Sequence, residues 1–108
     1  NLVMKCWVNE KQVSEGNLAD MDWTFAEIIE RCSYGVTLLP GDVIGSGTVG
    51  TGCFLELNGT GLLNNPDFEP QWLQDGDVVK MEIDGLGNLS NTIVKDESDF
   101  SILALKKI

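Results

Sequence analysis

Apolar and polar positions along the first third of the chain predict one strand and one amphipathic helix. Leu2–Val8 has the composition of a strand, and we expect it at an edge of the sheet. In Thr24-Phe-Ala-Glu27 a hydroxyl residue precedes a glutamate at capping-box spacing, and apolar residues then recur at helical intervals. The pattern predicts a helix over Thr24–Tyr34 that stops near Gly35, and it is the only convincing helix in the sequence.

The pattern after this helix is typical of a β-rich chain. Short apolar segments predict strands at Asp42–Ile44 and Cys53–Leu57, and Val78–Ile83 alternates between apolar and polar residues. A glycine-rich turn follows, which predicts a hairpin that returns through Asn88–Val94, and Phe100–Leu105 is a further candidate strand. The predicted fold class is therefore mostly β with one clear helix.

Composition and charge narrow the function classes. The chain has 17 acidic and 7 basic residues and a net charge of −10, which disfavours nucleic acid and anionic membranes as partners. No apolar run approaches the roughly 18 residues of a membrane span. Three scattered cysteines without a C-x-x-C pair are expected to be small buried side chains in a reducing, cytoplasmic protein. Because histidine is absent, a Ser-His-Asp or Cys-His site cannot be complete within this chain.

A cluster of glycines is the most unusual local feature. Gly45-Ser46-Gly47-Thr48-Val49-Gly50 is a literal G-x-G-x-x-G, the pattern of a dinucleotide-binding loop, which needs a strand before it and a helix after it. We expect no helix after it, because a strand is predicted there, and no lysine follows as in a P-loop. The remaining interpretations are a tight bend at a barrel corner and a backbone turn that faces a ligand.

Longer motifs give this region a family resemblance. The segments "MDWTFAEIIERCSYGVTLLPGDVIGSGT", "FLEL" and "WLQDGDVVKMEIDGLGNLSN" occur in this order over Met21–Asn91. Together they resemble the C-terminal portion of the fumarylacetoacetate hydrolase family. The resemblance implies a mixed β-roll or β-barrel that is incomplete here, because the family's metal carboxylates, histidine and catalytic lysine lie upstream of the matched region. Residues 1–108 would then be the C-terminal part of one catalytic domain, inactive alone.

The resemblance also implies an activity and site residues. Enzymes of this family use Mg²⁺ or Ca²⁺ to hold a keto acid and to stabilise the enolate formed when a C–C bond breaks. Gly47 and Thr48 match the loop that contacts the substrate carboxylate, and Glu56 matches the glutamate that orients the water-activating histidine of the hydrolases. The implied enzyme is a homodimeric hydrolase of an acylpyruvate-like or fumarylacetoacetate-like diketo acid, with its metal ligands outside this chain.

Two alternatives stay open at this stage. Within the same family, the chemistry can instead be decarboxylation, isomerisation or dehydration of a 2-keto or hydroxy acid. From a different class, the chain can be a non-catalytic acidic β-module that binds a partner without turnover. Glu82 and Asp84 form an acidic pair on one face of a predicted strand, and we expect them to face solvent rather than a metal.

Overall fold

A four-stranded antiparallel sheet organises the protein in a computed structural model, which describes residues 1–98. In chain order the elements are β1 (Val3–Val8), β2 (Lys11–Asn17), a 3₁₀ turn (Leu18–Asp20), α1 (Phe25–Cys32), α2 (Phe54–Asn64), β3 (Val78–Ile83) and β4 (Gly87–Thr92). The strand order is β2-β1-β3-β4, and the sheet is not closed into a barrel within the described residues. This confirms a mostly-β, incomplete domain. The candidate strand Phe100–Leu105 lies outside the described residues.

The tight turn between β1 and β2 also contacts the start of β3 and so places β1 beside that strand. Asn9 and Glu10 both have positive φ, 49° and 68°, which suits a two-residue hairpin. The Asn9 side-chain oxygen accepts a 2.9 Å hydrogen bond from the Val78 N–H, and its Nδ2 donates to Asp77 Oδ1 at 2.8 Å. The turn thus holds the start of β3 beside the end of β1. The expectation that β1 is an edge strand is wrong, because β2 and β3 pair with it on both sides.

The two faces of the sheet differ in chemistry. Met4, Cys6 and Val8 of β1 pair with Ile83, Met81 and Val79 of β3, and so form a largely apolar inner face. Val8 is the one apolar side chain of residues 1–98 that is buried, with 5% of its surface exposed. On the outer face, the Lys80 ammonium lies 5.1 Å from the centre of the Trp7 ring. The alternation predicted for β3 is therefore confirmed.

Helix α1 forms where the sequence predicts it. The Thr24 hydroxyl accepts a hydrogen bond from the Glu27 N–H, and the Glu27 carboxylate accepts one from the Thr24 N–H at 2.8 Å. This capping box satisfies two donors that a helix start leaves unpaired. The last helical residue is Cys32, and Gly35 follows with a φ of 77°, which only glycine adopts without strain.

Helix α2 is a correction to the sequence prediction. The strand predicted at Cys53–Leu57 is wrong, because Phe54–Asn64 is helical, so the described part of the protein has two α-helices rather than one. Glycines make this segment a poor helix by propensity, and contacts with residues further along the chain stabilise it. Asn58, only 4% exposed, accepts from the Gln71 N–H at 2.9 Å and donates to the Gln71 carbonyl at 2.8 Å.

The helix also changes the argument against dinucleotide binding. A helix does follow the glycines, so that part of the argument fails. The strand predicted at Asp42–Ile44 is wrong as well: in the structure Asp42 instead closes a turn, where its Oδ2 accepts from the Leu39 N–H at 2.8 Å. A dinucleotide loop needs a strand before it and parallel strand pairing, and the described sheet is antiparallel throughout.

Candidate functional site

The glycine segment, defined here as residues 45–52, lies between a large cavity and the start of α2. Gly47 has a φ of 100°, a backbone conformation that favours glycine, and it turns the chain immediately before Thr48. Gly47 and Thr48 both line a cavity of about 790 Å³. The other walls come from the inner face of the sheet, at Met4 and Ile83, and from the region around Trp23.

The charge of this cavity limits what it can bind unaided. Its described lining includes the carboxylates of Glu15, Asp20 and Asp22 and no lysine or arginine. The aromatic side chains of Trp23 and Phe25, both exposed, add apolar surface. An anionic ligand held against Thr48 therefore needs a positive charge supplied from outside these residues.

Thr51 links the glycine segment to α2 and to the sheet. It has a φ of 67°, which is uncommon for a residue that is not glycine. Its N–H donates a 2.9 Å hydrogen bond to Glu56 Oε2, and its hydroxyl lies 3.1 Å from the hydroxyl of Ser14 on β2. Ser14 is buried, with 7% of its surface exposed. These contacts join Glu56 to the sheet through one residue.

Glu56 lies in the first turn of α2, where a carboxylate is favourable because the helix N-terminus carries partial positive charge. The structure brings Gly47 and Thr48 together in the large cavity, whereas Glu56 is not part of its described lining. Thr48 and Glu56 are instead connected along the chain through the glycine segment and the Thr51 hydrogen bond. Their roles stay predictions.

A second cavity, of about 510 Å³, lies against the same inner face of the sheet beside α2. Cys6, Phe54 and Trp72 are among its mostly apolar lining residues. Partial burial raises the pKa of the Cys6 thiol above its usual value. Cys53 lines the cavity but is exposed, and Cys6 and Cys32 are half-buried, so the expectation of three buried cysteines is wrong for Cys53 and met only in part by the other two. All three are free thiols.

A metal site is not assembled from residues 1–98, which contain no group of three or more histidine, cysteine, aspartate or glutamate side chains suited to one. The acidic pair at the end of β3 has other partners. Asp84 Oδ2 accepts a 3.1 Å hydrogen bond from the Val3 N–H, and Glu82 lies 3.5 Å from the Lys80 ammonium. Neither helix in this part of the protein is long and apolar enough to cross a membrane.

Comparison with known proteins assigns the family. A sequence model described as fumarylacetoacetate hydrolase, C-terminal, matches residues 1–94. The chain belongs to the fumarylacetoacetate hydrolase family. The region of the match contains the sheet, both helices and the glycine segment, so the whole architecture described above is that of this family's C-terminal part.

The relatives are longer proteins of staphylococci. An uncharacterized protein of Staphylococcus epidermidis is 38% identical over 97 residues, which are 89% of this chain and 28% of that protein. One of Staphylococcus saprophyticus is 40% identical over 93 residues, 86% of this chain and 27% of the relative. One of Staphylococcus aureus is 38% identical over 96 residues, with 88% and 27% covered. The chain thus spans less than a third of the length of these relatives.

Three residues of the site were missed by sequence reasoning. Ser14 and Gly16 belong to β2, which the sequence did not predict, and Thr51 lies within the glycine segment without a distinguishing motif. The sequence signal for Ser14 and Gly16 is weak: they are two residues apart, and alternate residues of a strand share a face. Their contacts span more than 30 residues of chain, so no local pattern identifies them.

Proposed function

We propose that this chain is part of a hydrolase that cleaves a C–C bond in a diketo acid of the acylpyruvate or fumarylacetoacetate type. The observation that carries the proposal is the continuous segment from Thr48 to Glu56, which begins and ends with a family-matched residue. One end of this segment, Thr48, lines the large cavity, and the other, Glu56, lies in the first turn of α2 and accepts a hydrogen bond from the Thr51 N–H.

In the proposed reaction, water adds to the carbonyl beside the bond that breaks, and the pyruvate-side carbon leaves as an enolate. Protonation of the enolate then gives a carboxylic acid and a 2-keto acid, so one water is consumed for each bond cleaved. Thr48 offers a hydroxyl and an N–H to the substrate carboxylate. Glu56 orients the histidine that takes the proton from water, as a carboxylate does in other catalytic pairs. That histidine comes from outside this chain, which has none.

Enzymes of this family typically use a divalent metal, which stabilises negative charge that develops on the substrate. Residues 1–98 do not fit such an ion by themselves, and we propose that Mg²⁺ or Ca²⁺ is held by carboxylates from the upstream part of the protein. The acidic, lysine-free lining of the large cavity agrees with a cation supplied from elsewhere. We further propose a cytoplasmic protein, since three free thiols suit a reducing compartment. We also propose a homodimer, on the family resemblance alone.

The proposal is tested in the intact protein that carries this chain, with acetylpyruvate as substrate and Mg²⁺ present. Loss of the enol absorbance of acetylpyruvate measures its hydrolysis. We expect Glu56→Gln to lower kcat by roughly a hundredfold, because the neutral amide no longer stabilises the charged histidine. Glu69→Gln changes an exposed glutamate outside the cavity lining and is the matched control.

Two results decide against this reaction. If the unmodified protein does not consume acetylpyruvate, hydrolysis of this substrate type is wrong. If Glu56→Gln leaves turnover of a 2-keto acid intact while CO₂ is released, the same-family decarboxylase is favoured. A protein that binds keto acids without turning them over would indicate the non-catalytic module.

A further inference from the structure

We propose that Ser14, Gly16 and Thr51 are positioning residues that fasten the glycine segment to β2 at two points, one behind Thr48 and one behind Glu56. This inference rests on the function proposed for Thr48 and Glu56. It adds that a strand without any family-matched catalytic residue determines where both of them lie.

The first attachment point joins Gly16 to Val49. A Cβ atom on Gly16 would overlap Val49 Cγ1, so the valine side chain packs directly onto the strand backbone where a side chain is lacking. Val49 is half-buried, unlike the exposed glycines around it. Because Val49 follows Thr48 in the chain, its packing against Gly16 limits how far the Thr48 backbone can move in the cavity.

The second attachment point joins Ser14 to Thr51. The two hydroxyls lie 3.1 Å apart, and the contact is partly buried, because Ser14 is buried whereas Thr51 is exposed. Thr51 holds a left-handed backbone conformation that directs its N–H at Glu56 Oε2, 2.9 Å away. A threonine in this conformation is strained, so surrounding contacts must maintain it. The hydrogen bond to Glu56 is one such contact, and the Ser14 hydroxyl is the one that comes from the sheet.

The two attachment points act together because Ser14 and Gly16 lie on the same face of β2. Ser14 and Gly16 are two residues apart on β2, so both point to the inner face of the sheet. The glycine segment makes its own internal link between them, since the Gly52 N–H donates to the Val49 carbonyl at 2.9 Å. The segment is therefore rich in glycine but is attached to β2 at Val49 and at Thr51, and these two contacts limit the spacing between Thr48 and Glu56.

The two points predict separate kinetic effects in the intact protein with acetylpyruvate and Mg²⁺. Ser14→Ala and Thr51→Gly remove the contact behind Glu56, and we expect kcat to fall about tenfold with little change in KM. Thr51→Gly keeps a residue that adopts the left-handed backbone easily, so it isolates the loss of the hydroxyl. Thr51→Ser restores the hydroxyl and is expected to restore kcat. Ser90→Ala, on exposed β4, is the matched control.

Gly16→Ala displaces Val49, and we expect it to raise KM about tenfold with a smaller effect on kcat, because Thr48 contacts the substrate. Val49→Ala removes the overlapping methyl groups, so the double variant Gly16→Ala/Val49→Ala is expected to recover the original KM. Failure of this rescue, or a kcat unchanged in Ser14→Ala and Thr51→Gly, overturns the inference.

A measurement without substrate separates this inference from the proposed reaction. Hydrogen exchange of the peptide that contains Thr51 reports whether its N–H stays bonded to Glu56. We expect exchange there to be about tenfold faster in Ser14→Ala than in Ser90→Ala, whether or not acetylpyruvate is cleaved. Equal exchange in the two variants overturns the positioning role, whereas faster exchange in a protein that does not hydrolyse acetylpyruvate retains it and rejects only the reaction.

Discussion

The two helices of this protein are stabilised in opposite ways. Helix α1 begins with a complete capping box between Thr24 and Glu27, which are three residues apart in the chain. Helix α2 begins at Cys53 without any side-chain cap, contains two glycines, and has its only buried side chain, Asn58, hydrogen-bonded to a segment 13 residues away. The helix that depends on distant contacts is the one that carries Glu56. The residue that we propose to act in catalysis is therefore placed by tertiary structure rather than by local sequence preference.

Among the variants that test this comparison, Asn58→Ala is expected to have the largest effect on stability. The substitution removes both hydrogen bonds to Gln71 and leaves its N–H and carbonyl without their partner, so we expect a loss of about 2 kcal/mol in the free energy of unfolding. Denaturant unfolding of the intact protein measures the loss. Asn91→Ala, on exposed β4, is the control, and equal losses in the two variants would show that Asn58 is not a special contact of α2.

An intermediate effect is expected from the two glycines of α2, which differ in their surroundings. A Cβ atom on Gly61 would lie 2.6 Å from a ring atom of Phe68, whereas one on Gly59 meets nothing within 4 Å. We expect Gly61→Ala to destabilise the protein by about 1–2 kcal/mol through overpacking. Gly59→Ala should instead stabilise it by about 0.5–1 kcal/mol, because alanine has the better helix propensity.

The same unfolding measurement compares the two alanine variants directly. A stabilising Gly61→Ala would mean that Phe68 moves aside freely and does not restrain α2. The double variant Gly61→Ala/Phe68→Ala should regain much of the loss, because the ring that blocks the new methyl group is absent.

The smallest effect on stability is expected from the titration of Glu27 at the start of α1. Hydrogen bonds from the Thr24 N–H, and secondarily from its hydroxyl, hold the pKa of Glu27 below its usual value of 4.5. A lowered pKa in the folded state means that Glu27 stabilises the fold above pH 4.5, and that this contribution is lost as pH falls through the folded-state pKa. We therefore expect Glu27→Gln to lower Tm at neutral pH. At acidic pH, the Tm values of the variant and of the unmodified protein should converge.

Glu30→Gln on the same helix is the control for that titration. A difference between Glu27→Gln and the unmodified protein that stays constant from neutral pH down to pH 3 would contradict a role for the charged carboxylate. It would assign the effect to side-chain packing instead.

The sequence predicts those parts of the fold that depend on neighbouring residues. The capping box defines α1, alternation defines β3, and glycines mark the hairpin into β4. The sequence misleads at α2, because Phe54–Leu57 is a short apolar run between glycines and matches a strand as well as a helix. What makes this segment helical lies at Gln71 and Phe68, beyond the reach of a local pattern.

The candidate site is likewise only partly predictable from the sequence. The family motif identifies Gly47, Thr48 and Glu56, and the structure places the first two in a cavity. The residues behind them, on β2, could not be predicted, because they depend on which strand the glycine segment crosses. The three carboxylates in the cavity lining were also missed, since Glu15, Asp20 and Asp22 lie close together in the sequence but no motif shows that they face the glycine segment.

The contact between Asn58 and Gln71 also bears on spontaneous chemical damage to the protein. Asn58-Gly59 is the only Asn-Gly pair in the sequence, and this pair is the one most prone to spontaneous deamidation, in which the following backbone nitrogen attacks the side-chain amide. Here the amide is held at both of its polar atoms, and the backbone is helical, so the attacking nitrogen is kept from the carbonyl carbon. The interaction that maintains α2 thereby also shields its most chemically labile residue from slow damage.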